Sequence, residues 1–295
     1  MQNHKQPKKT RRKVFRWFWL VLILGLCTFL YAYFIEPNWI EVNSLQLTLP
    51  HLAQEFSEYR IVQISDIHVN RRTTKAYLSR IFRLVNQQKP DLIVITGDFV
   101  TGEQERFIPK LEATMGELVA KDGKFGVLGN HDYWADPIAI AKVMAKTNVV
   151  NLDNTYSIVQ RGAAKLYIAG VDDVWAGKAS LDQVLKNLPD DGAAILLAHE
   201  PDFGDISAAT NRFDLQLSGH SHAGQIRIPF FKPPILPELG QKYYSGLYQI
   251  GSMKLYTNRG LGMTAVHLRF ACRPEITVLT LRSPQKFGVL GLPRS

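Results

Sequence analysis

Short apolar runs of four or five residues alternate, from about residue 44 to 282, with longer segments whose apolar positions recur every three or four residues. Residues 60–64 (RIVQI), 92–96 (LIVIT), 125–128 (FGVL), 195–198 (ILLA) and 215–218 (LQLS) are apolar almost throughout, as in strands covered on both faces. Between them, Leu78, Ile81, Phe82 and Val85 keep helical spacing after a Thr73/Thr74 cap, and Ile138, Ile140, Val143 and Met144 do so after Pro137. The alternation predicts an α/β fold whose helices pack on a sheet. Further runs at 156–159, 166–169, 244–248, 255–257 and 276–281 predict a second, more antiparallel sheet. No repeat or low-complexity tract interrupts this stretch, and about 240 residues fit one domain.

Upstream, residues 17–35 (WFWLVLILGLCTFLYAYFI) carry no charge. At ~1.5 Å per residue such a helix spans roughly 28 Å, close to the bilayer core. Trp17, Trp19, Tyr31 and Tyr33 stand near its two ends, where amphipathic rings favour the interface. Ahead of it lie Lys5, Lys8, Lys9, Arg11, Arg12, Lys13 and Arg16 with no acid, which predicts an N-terminus held in the cytoplasm. The expectation is a single-pass inner-membrane protein with its domain outside the cytoplasm. A cleaved signal peptide is the rival, but Tyr31-Ala32-Tyr33 offers no small-residue exit and the run exceeds a usual h-region. Residues 10–16 resemble a twin-arginine export signal, although arginine pairs are common in basic leaders. The expected organisation is a basic tail (1–16), an anchor (17–35), a linker with a first strand (36–57), a catalytic domain (58–282) and a tail (283–295).

Composition adds little to this picture, and charge corrects a first impression. With 46% hydrophobic and 21% charged residues the chain is globular, and two cysteines supply neither a disulfide framework nor a thiolate zinc cluster. The net charge of +9 comes mostly from the tail. Beyond it, 28 basic residues face 26 acidic ones, a net of +2 that gives no footprint for nucleic acid, and no nucleic-acid partner is expected.

The apolar runs end in polar clusters: Asp66-Ile67-His68, Gly97-Asp98, Gly129-Asn130-His131-Asp132, His199 and Gly219-His220-Ser221-His222. Ligands bind outside the carboxyl ends of the strands in open α/β sheets, so five such clusters are expected to converge there. Asp66 and His68, like His220 and His222, are spaced i, i+2, which in extended backbone points both side chains one way. Taken singly, each has a bland reading: a turn residue, a loop, a satisfied core imidazole. Jointly they form an oxygen and nitrogen donor set suited to two divalent ions of Mn, Fe, Zn or Co. Uncompensated carboxylates and imidazoles gathered in one crevice are costly without a cation.

These residues, in this order and spacing, resemble the D-x-H, G-D, G-N-H-D/E, H and G-H-x-H motifs of the calcineurin-like metallophosphoesterases. A bacterial membrane-anchored subgroup is suggested by His199-Glu200-Pro201-Asp202, Asn258-Arg259-Gly260-Leu261-Gly262 and Arg273-Pro274-Glu275-Ile276. The resemblance covers about residues 58 to 282 and implies a four-layer α/β/β/α sandwich of two mixed sheets. It implies one metal on Asp66, His68 and His222, a second on Asn130, His199 and His220, and a bridging Asp98. His131 is then free to serve the leaving oxygen as an imidazolium acid, with Asp132 orienting its ring. The activity implied is hydrolysis of a phosphodiester or pyrophosphate by metal-activated hydroxide, on a lipid or nucleotide-sugar. Some relatives cleave UDP-2,3-diacylglucosamine in lipid A synthesis, an alternative weakened here because such substrates are cytosolic. A non-catalytic metal-binding scaffold is a further alternative, disfavoured by the complete ligand set.

Departures from sister families narrow the activity. Phe99-Val100-Thr101-Gly102 lacks the Asp-Arg-Gly continuation of Ser/Thr protein phosphatases, and no Tyr lies near Asp98 to serve as the iron ligand of purple acid phosphatases. Residues 228–237 (IPFFKPPILP) hold four prolines and five large apolar residues. They predict an irregular loop, either buried against the domain's own sheet or flanking the metal crevice and facing the bilayer.

Overall fold

The computed structural model describes residues 8–102 and 105–284. In chain order the strands are β1 (Glu41–Thr48), β2 (Arg60–Ile64), β3 (Leu92–Thr96), β4 (Lys124–Val127), β5 (Val149–Asn151), β6 (Thr155–Arg161), β7 (Ala164–Gly170), β8 (Ala193–Leu197), β9 (Leu215–Ser218), β10 (Gly246–Ile250), β11 (Met253–Thr257) and β12 (Glu275–Arg282). The helices are α1 (Lys8–Leu30), α2 (Lys75–Gln87), α3 (Ile108–Met115), α4 (Asn130–Ala135), α5 (Pro137–Lys146), α6 (Leu181–Asn187) and α7 (Gly204–Ala209). Two six-stranded sheets result, ordered β1-β12-β2-β3-β4-β5 and β10-β11-β9-β8-β7-β6.

Every residue of β3 is buried, and its side chains divide by parity. Leu92 and Val94 enter the core between the sheets with Ile168, Ile195, Leu217 and Leu279. Ile93 and Ile95 face α2, α3 and α5 with Leu78, Phe82, Leu111 and Val143. The outer face of the second sheet packs Tyr167, Ala194 and Leu196 against Val184 and Phe203 from the α6 and α7 side. Three apolar cores between four layers give an α/β/β/α sandwich. Thr74 caps α2 as its spacing predicts, accepting from the Tyr77 amide at 3.1 Å. In α5 the expected stripe is partly wrong: Ile138 is exposed while Ile140, Val143 and Met144 are buried. A step of two residues turns about 200° around a helix and puts Ile138 on the far face.

Two further expectations are corrected. The run at 276–281 belongs to the first sheet, where β12 pairs parallel with β1 and antiparallel with β2. Ile276 and Val278 face the helical layer while Leu279 and Leu281 enter the inter-sheet core, so this strand needs cover on both faces. The second sheet is not chiefly antiparallel either. β7, β8, β9 and β11 run parallel, with antiparallel β6 and β10 at its edges. Crossovers through α6 and α7 impose that direction.

α1 continues through a wider helical turn (Tyr31–Ile35) and a tight one (Glu36–Asn38) before β1. Residues 1–7 of the basic tail and 285–295 of the C-terminal tail lie outside the described residues.

Candidate metal centre

The clusters at the ends of β2, β3, β4, β8 and β9 come from both sheets, whose carboxyl ends meet at one edge of the sandwich. Gln63 near the end of β2 ties the sheets together below the site, donating to the Ser218 carbonyl at 2.9 Å and to the Thr96 hydroxyl at 3.0 Å. Beyond the strand ends the backbone is not extended, which corrects the reason for convergence. Asp66, His68, Asp98, His220 and His222 all have positive φ, between 48° and 67°. Left-handed turns, rather than strand alternation, swing these side chains inward. The turns are latched to one another: Asp66 and His68 donate their amides to the Gly97 and Asp98 carbonyls at 3.0 Å. Gly97 has φ +86°, and a Cβ there would lie 2.4 Å from His199 Nδ1. A side chain at Gly219 would lie 1.9 Å from Ser65 Oγ and 2.3 Å from Asp66 Oδ2. Both glycines are required by close approach.

All seven predicted ligands are brought together and buried. In one lobe, His68 Nε2 is 3.1 Å from His222 Nε2, and Asp66 Oδ1 is 3.2 Å from the latter. In the other, His220 Nδ1 is 3.2 Å from His199 Nε2 and 3.1 Å from Asn130 Oδ1. Asp98 Oδ2 lies between the lobes, 3.4 Å from His68 Nε2 and 3.2 Å from His199 Nε2.

The donor set fits divalent cations. His199 Nδ1 donates to the Thr96 carbonyl at 2.7 Å and His220 Nε2 to the Glu238 carbonyl at 2.8 Å. Carbonyls only accept, so each ring carries a proton on that nitrogen and its other nitrogen faces the cluster, where it offers a lone pair once deprotonated. Imidazole nitrogens facing one another at about 3 Å, beside two buried carboxylates, lack only a shared positive charge. Burial opposes ionisation of Asp66 and Asp98, yet the imidazoles of His222 and His199 respectively hold both carboxyls below their usual range. Burial pushes His68 down, and burial with the neighbouring His199 does the same to His220. Anionic carboxylates and neutral imidazoles are the states that ligate metal. For His199 burial works against the charged ring, but the Asp98 carboxylate raises it well above the usual range. A cation bound here would take the place of that proton and supply the counter-charge to Asp98.

A family model described as calcineurin-like phosphoesterase matches residues 59–224, more than half the chain. The chain belongs to the calcineurin-like phosphoesterase family. It is 36% identical over 287 residues to the uncharacterised metallophosphoesterase YkuE of Bacillus subtilis, covering 94% of this chain and 99% of that protein. It is 29% identical to the phosphodiesterase YaeI of Escherichia coli, covering 85% and 92%. A zebrafish protein named as a transmembrane protein with a metallophosphoesterase domain is 29% identical over 82% of this chain, which spans 57% of that protein. As a calcineurin-like phosphoesterase the chain is a metal-dependent phosphoester hydrolase, and the family uses divalent metals.

Two residues of this phosphoesterase, His131 and Asp132, were expected to act on the leaving oxygen. His131 opens α4 beside the lobes, its ring edge-on to His68 with centroids 4.7 Å apart. Its Nδ1 accepts from the Gly102 amide at 3.1 Å, which leaves the proton on Nε2. Burial lowers its pKa, which favours the neutral ring with its Nε2 proton over the imidazolium acid expected. Asp132 does not orient that ring. Its Oδ1 accepts the Phe99 and Val100 amides at 2.9 and 3.2 Å, and its Oδ2 accepts the Gly129 amide at 3.1 Å. Burial, with Asp98 nearby, raises the Asp132 carboxyl above its usual range against the pull of these amides. Asp132 clasps the two turns that carry Asp98 and Asn130.

Sequence reasoning missed Trp134 and Trp175, which sit edge-on to His131 and His220 at centroid distances of 4.4 and 5.4 Å. Trp134 follows the G-N-H-D motif by two residues and could have been found there; Trp175 follows Asp172-Asp173 in a loop with no motif to mark it.

Proposed function

We propose that this chain is a membrane-anchored phosphodiesterase that works with two divalent cations. The observation that carries the reading is Asp98 Oδ2, which faces nitrogens of both lobes within 3.4 Å. Asp66, His68 and His222 would hold one cation and Asn130, His199 and His220 the other, with Asp98 facing both. Two such cations supply Lewis acidity at phosphorus and a nucleophilic water at neutral pH. The chain's own share is orientation and charge. His131 donates its Nε2 proton as a hydrogen bond to the phosphoryl group, and Trp134 and Trp175 flank the way in to the site. The name of the Escherichia coli relative supports a diester rather than a monoester substrate.

The helical span from Arg12 to Asn38 is long and apolar enough to cross a membrane, and its Trp17, Phe18, Val21 and Leu24 are exposed. A helix apolar on all sides and unburied in the protein needs hydrocarbon around it. The zebrafish relative's name supports the same reading. In this reading residues 17–35 form the anchor and residues 58–282 the catalytic domain, and the cations ahead of the span support a position of that domain outside the cytoplasm. That topology keeps UDP-sugars, the substrates of the lipid A alternative, from the site.

The test is metal analysis and hydrolysis of bis(p-nitrophenyl) phosphate by the full chain in detergent. Two transition ions per chain and turnover are expected. Asp98→Asn loses the bridge and, with it, more than the ~10–100-fold that a lost supporting residue costs. His131→Ala keeps both metals and loses about 10²–10³-fold in turnover, as when one donor to a developing charge is removed. Undiminished turnover after complete metal removal refutes the reading.

A further inference from the structure

The loop with four prolines buries Pro233 but turns most of its large apolar side chains outward. Phe230 is fully exposed and Phe231, Ile235 and Ile228 are 72, 78 and 52% exposed. Phe230 is held at φ 71°, a left-handed conformation that bulky side chains rarely adopt. An outward apolar cluster of this kind, on a loop stiffened by proline, marks an interaction surface. Two observations identify its partner. First, the loop shares a support with the end of the apolar helical span. Residues 264–272 bind the loop's base on one side, where the Arg227 amide donates to the Phe270 carbonyl at 2.9 Å and the Phe270 amide to Gln225 at 3.0 Å. On the other side the same segment grips the end of the span. The Arg269 amide donates to the Ala32 carbonyl at 3.0 Å, and the buried Glu36 carboxylate accepts the Ala271 amide at 3.0 Å and the Cys272 amide. His267 packs edge-on against Tyr33, with centroids 5.2 Å apart.

Second, the loop walls the mouth of the site. A cavity of about 260 Å³ leads out from Asp98, His131 and His220 between Trp134, Trp175, Ile226, Ile235 and Val266. The loop's Ile235 thus stands between the exposed apolar cluster and the catalytic edge. A second cavity, lined by His68, joins the site to Pro37 and Asn38 at the end of the span.

We infer that Phe230, Phe231 and Ile235 insert into the same phospholipid bilayer that holds α1, so that the metal centre opens at the membrane interface. The Trp134–Ile235 cavity then takes the apolar portion of a phosphoester lipid that slides in sideways without leaving the bilayer. This deepens the phosphodiesterase reading and rests on the anchor, but its failure is separable from theirs.

The experiment uses the full chain with Cys27→Ala, in nanodiscs of phosphatidylethanolamine and phosphatidylglycerol. A fluorophore on Phe230→Cys is compared with one on Ala163→Cys, an exposed residue in the β6–β7 turn at the opposite end of the second sheet. Doxyl-labelled lipid is expected to quench the label at 230 and iodide to spare it, with the reverse at 163. Phe230→Ser with Phe231→Ser is then assayed on bis(p-nitrophenyl) phosphate and on the dioleoylglycerol ester of p-nitrophenyl phosphate. Turnover of the lipid is expected to fall at least about tenfold, which needs only ~1.4 kcal/mol of lost insertion. The soluble diester is expected to be cleaved within about twofold of the parent rate, with the melting temperature unchanged. Iodide quenching at 230 equal to that at 163, or equal loss on both substrates, overturns the inference. A parent protein inactive on the soluble diester refutes the phosphodiesterase reading, while the quenching result still decides the loop's place.

Discussion

Asp132→Asn removes one of three backbone hydrogen bonds that hold the metal-bearing turns together. The amide oxygen keeps the Phe99 and Val100 amides, but its NH2 group meets the Gly129 N–H, donor against donor. One buried amide left without an acceptor costs about 1–3 kcal/mol. At about 2–4 °C per kcal/mol for a domain of this size, the melting temperature falls by roughly 2–12 °C. Asp132→Ala orphans all three amides, about 3–9 kcal/mol, which approaches the whole stability of an ordinary domain. Melting by circular dichroism, with the pH dependence of kcat/KM for bis(p-nitrophenyl) phosphate, separates this role from the one expected from sequence. A clasp lowers the melting temperature and leaves the shape of the pH profile alone. A catalytic Asp132–His131 pair would do the opposite, so an unchanged melting temperature with a displaced pH profile refutes the structural account.

Gly219→Ala forces a methyl group into the space of Ser65 Oγ and Asp66 Oδ2, and overpacking of this kind costs about 1–3 kcal/mol. Metal analysis is expected to show selective loss from the Asp66–His68–His222 lobe, and full loading with unchanged melting would contradict the contact. Asp153 gives a pH-dependent prediction: burial, then repulsion from Asp172, raises its carboxyl to about 7. The folded chain therefore keeps a proton that the unfolded chain releases near pH 4, so stability from this group declines as pH rises between about 4 and 7, by at most about 4 kcal/mol. Asp153→Asn is expected to flatten that decline and to gain stability at pH 8 in denaturant titrations; parallel profiles would exclude it.

What could be read without the structure was local. A short apolar run followed by Asp, Asn, His and Gly is visible in a few letters, and those letters sit on the site. Strand neighbours were harder to read, because β12 finds its place between β1 and β2 through pairings more than 200 residues apart in sequence. Asp132 was misassigned because proximity to His131 along the chain says nothing about which amides its carboxylate meets. Glu36, the first charged residue after the uncharged run, carries no mark in the sequence of where its side chain goes. Its carboxylate is in fact buried against the Ala271 and Cys272 amides, and only the folded chain brings residues 235 apart together.

The left-handed backbone at Asp66, His68, Asp98, His220 and His222 limits how this centre can be altered. Asp, Asn and His are the side-chain-bearing residues most enriched in that conformation, and they are also oxygen and nitrogen ligands for borderline cations. At these five positions the identity of each residue is thus specified twice, by coordination chemistry and by torsion angle. Asp-to-Asn or His-to-Asn exchanges change charge while respecting the turn, whereas thiolate or longer carboxylate replacements oppose the backbone before they meet an ion. Redesign of metal preference in this protein is therefore confined to a narrow alphabet, and a soft-metal centre would require new turns as well as new ligands.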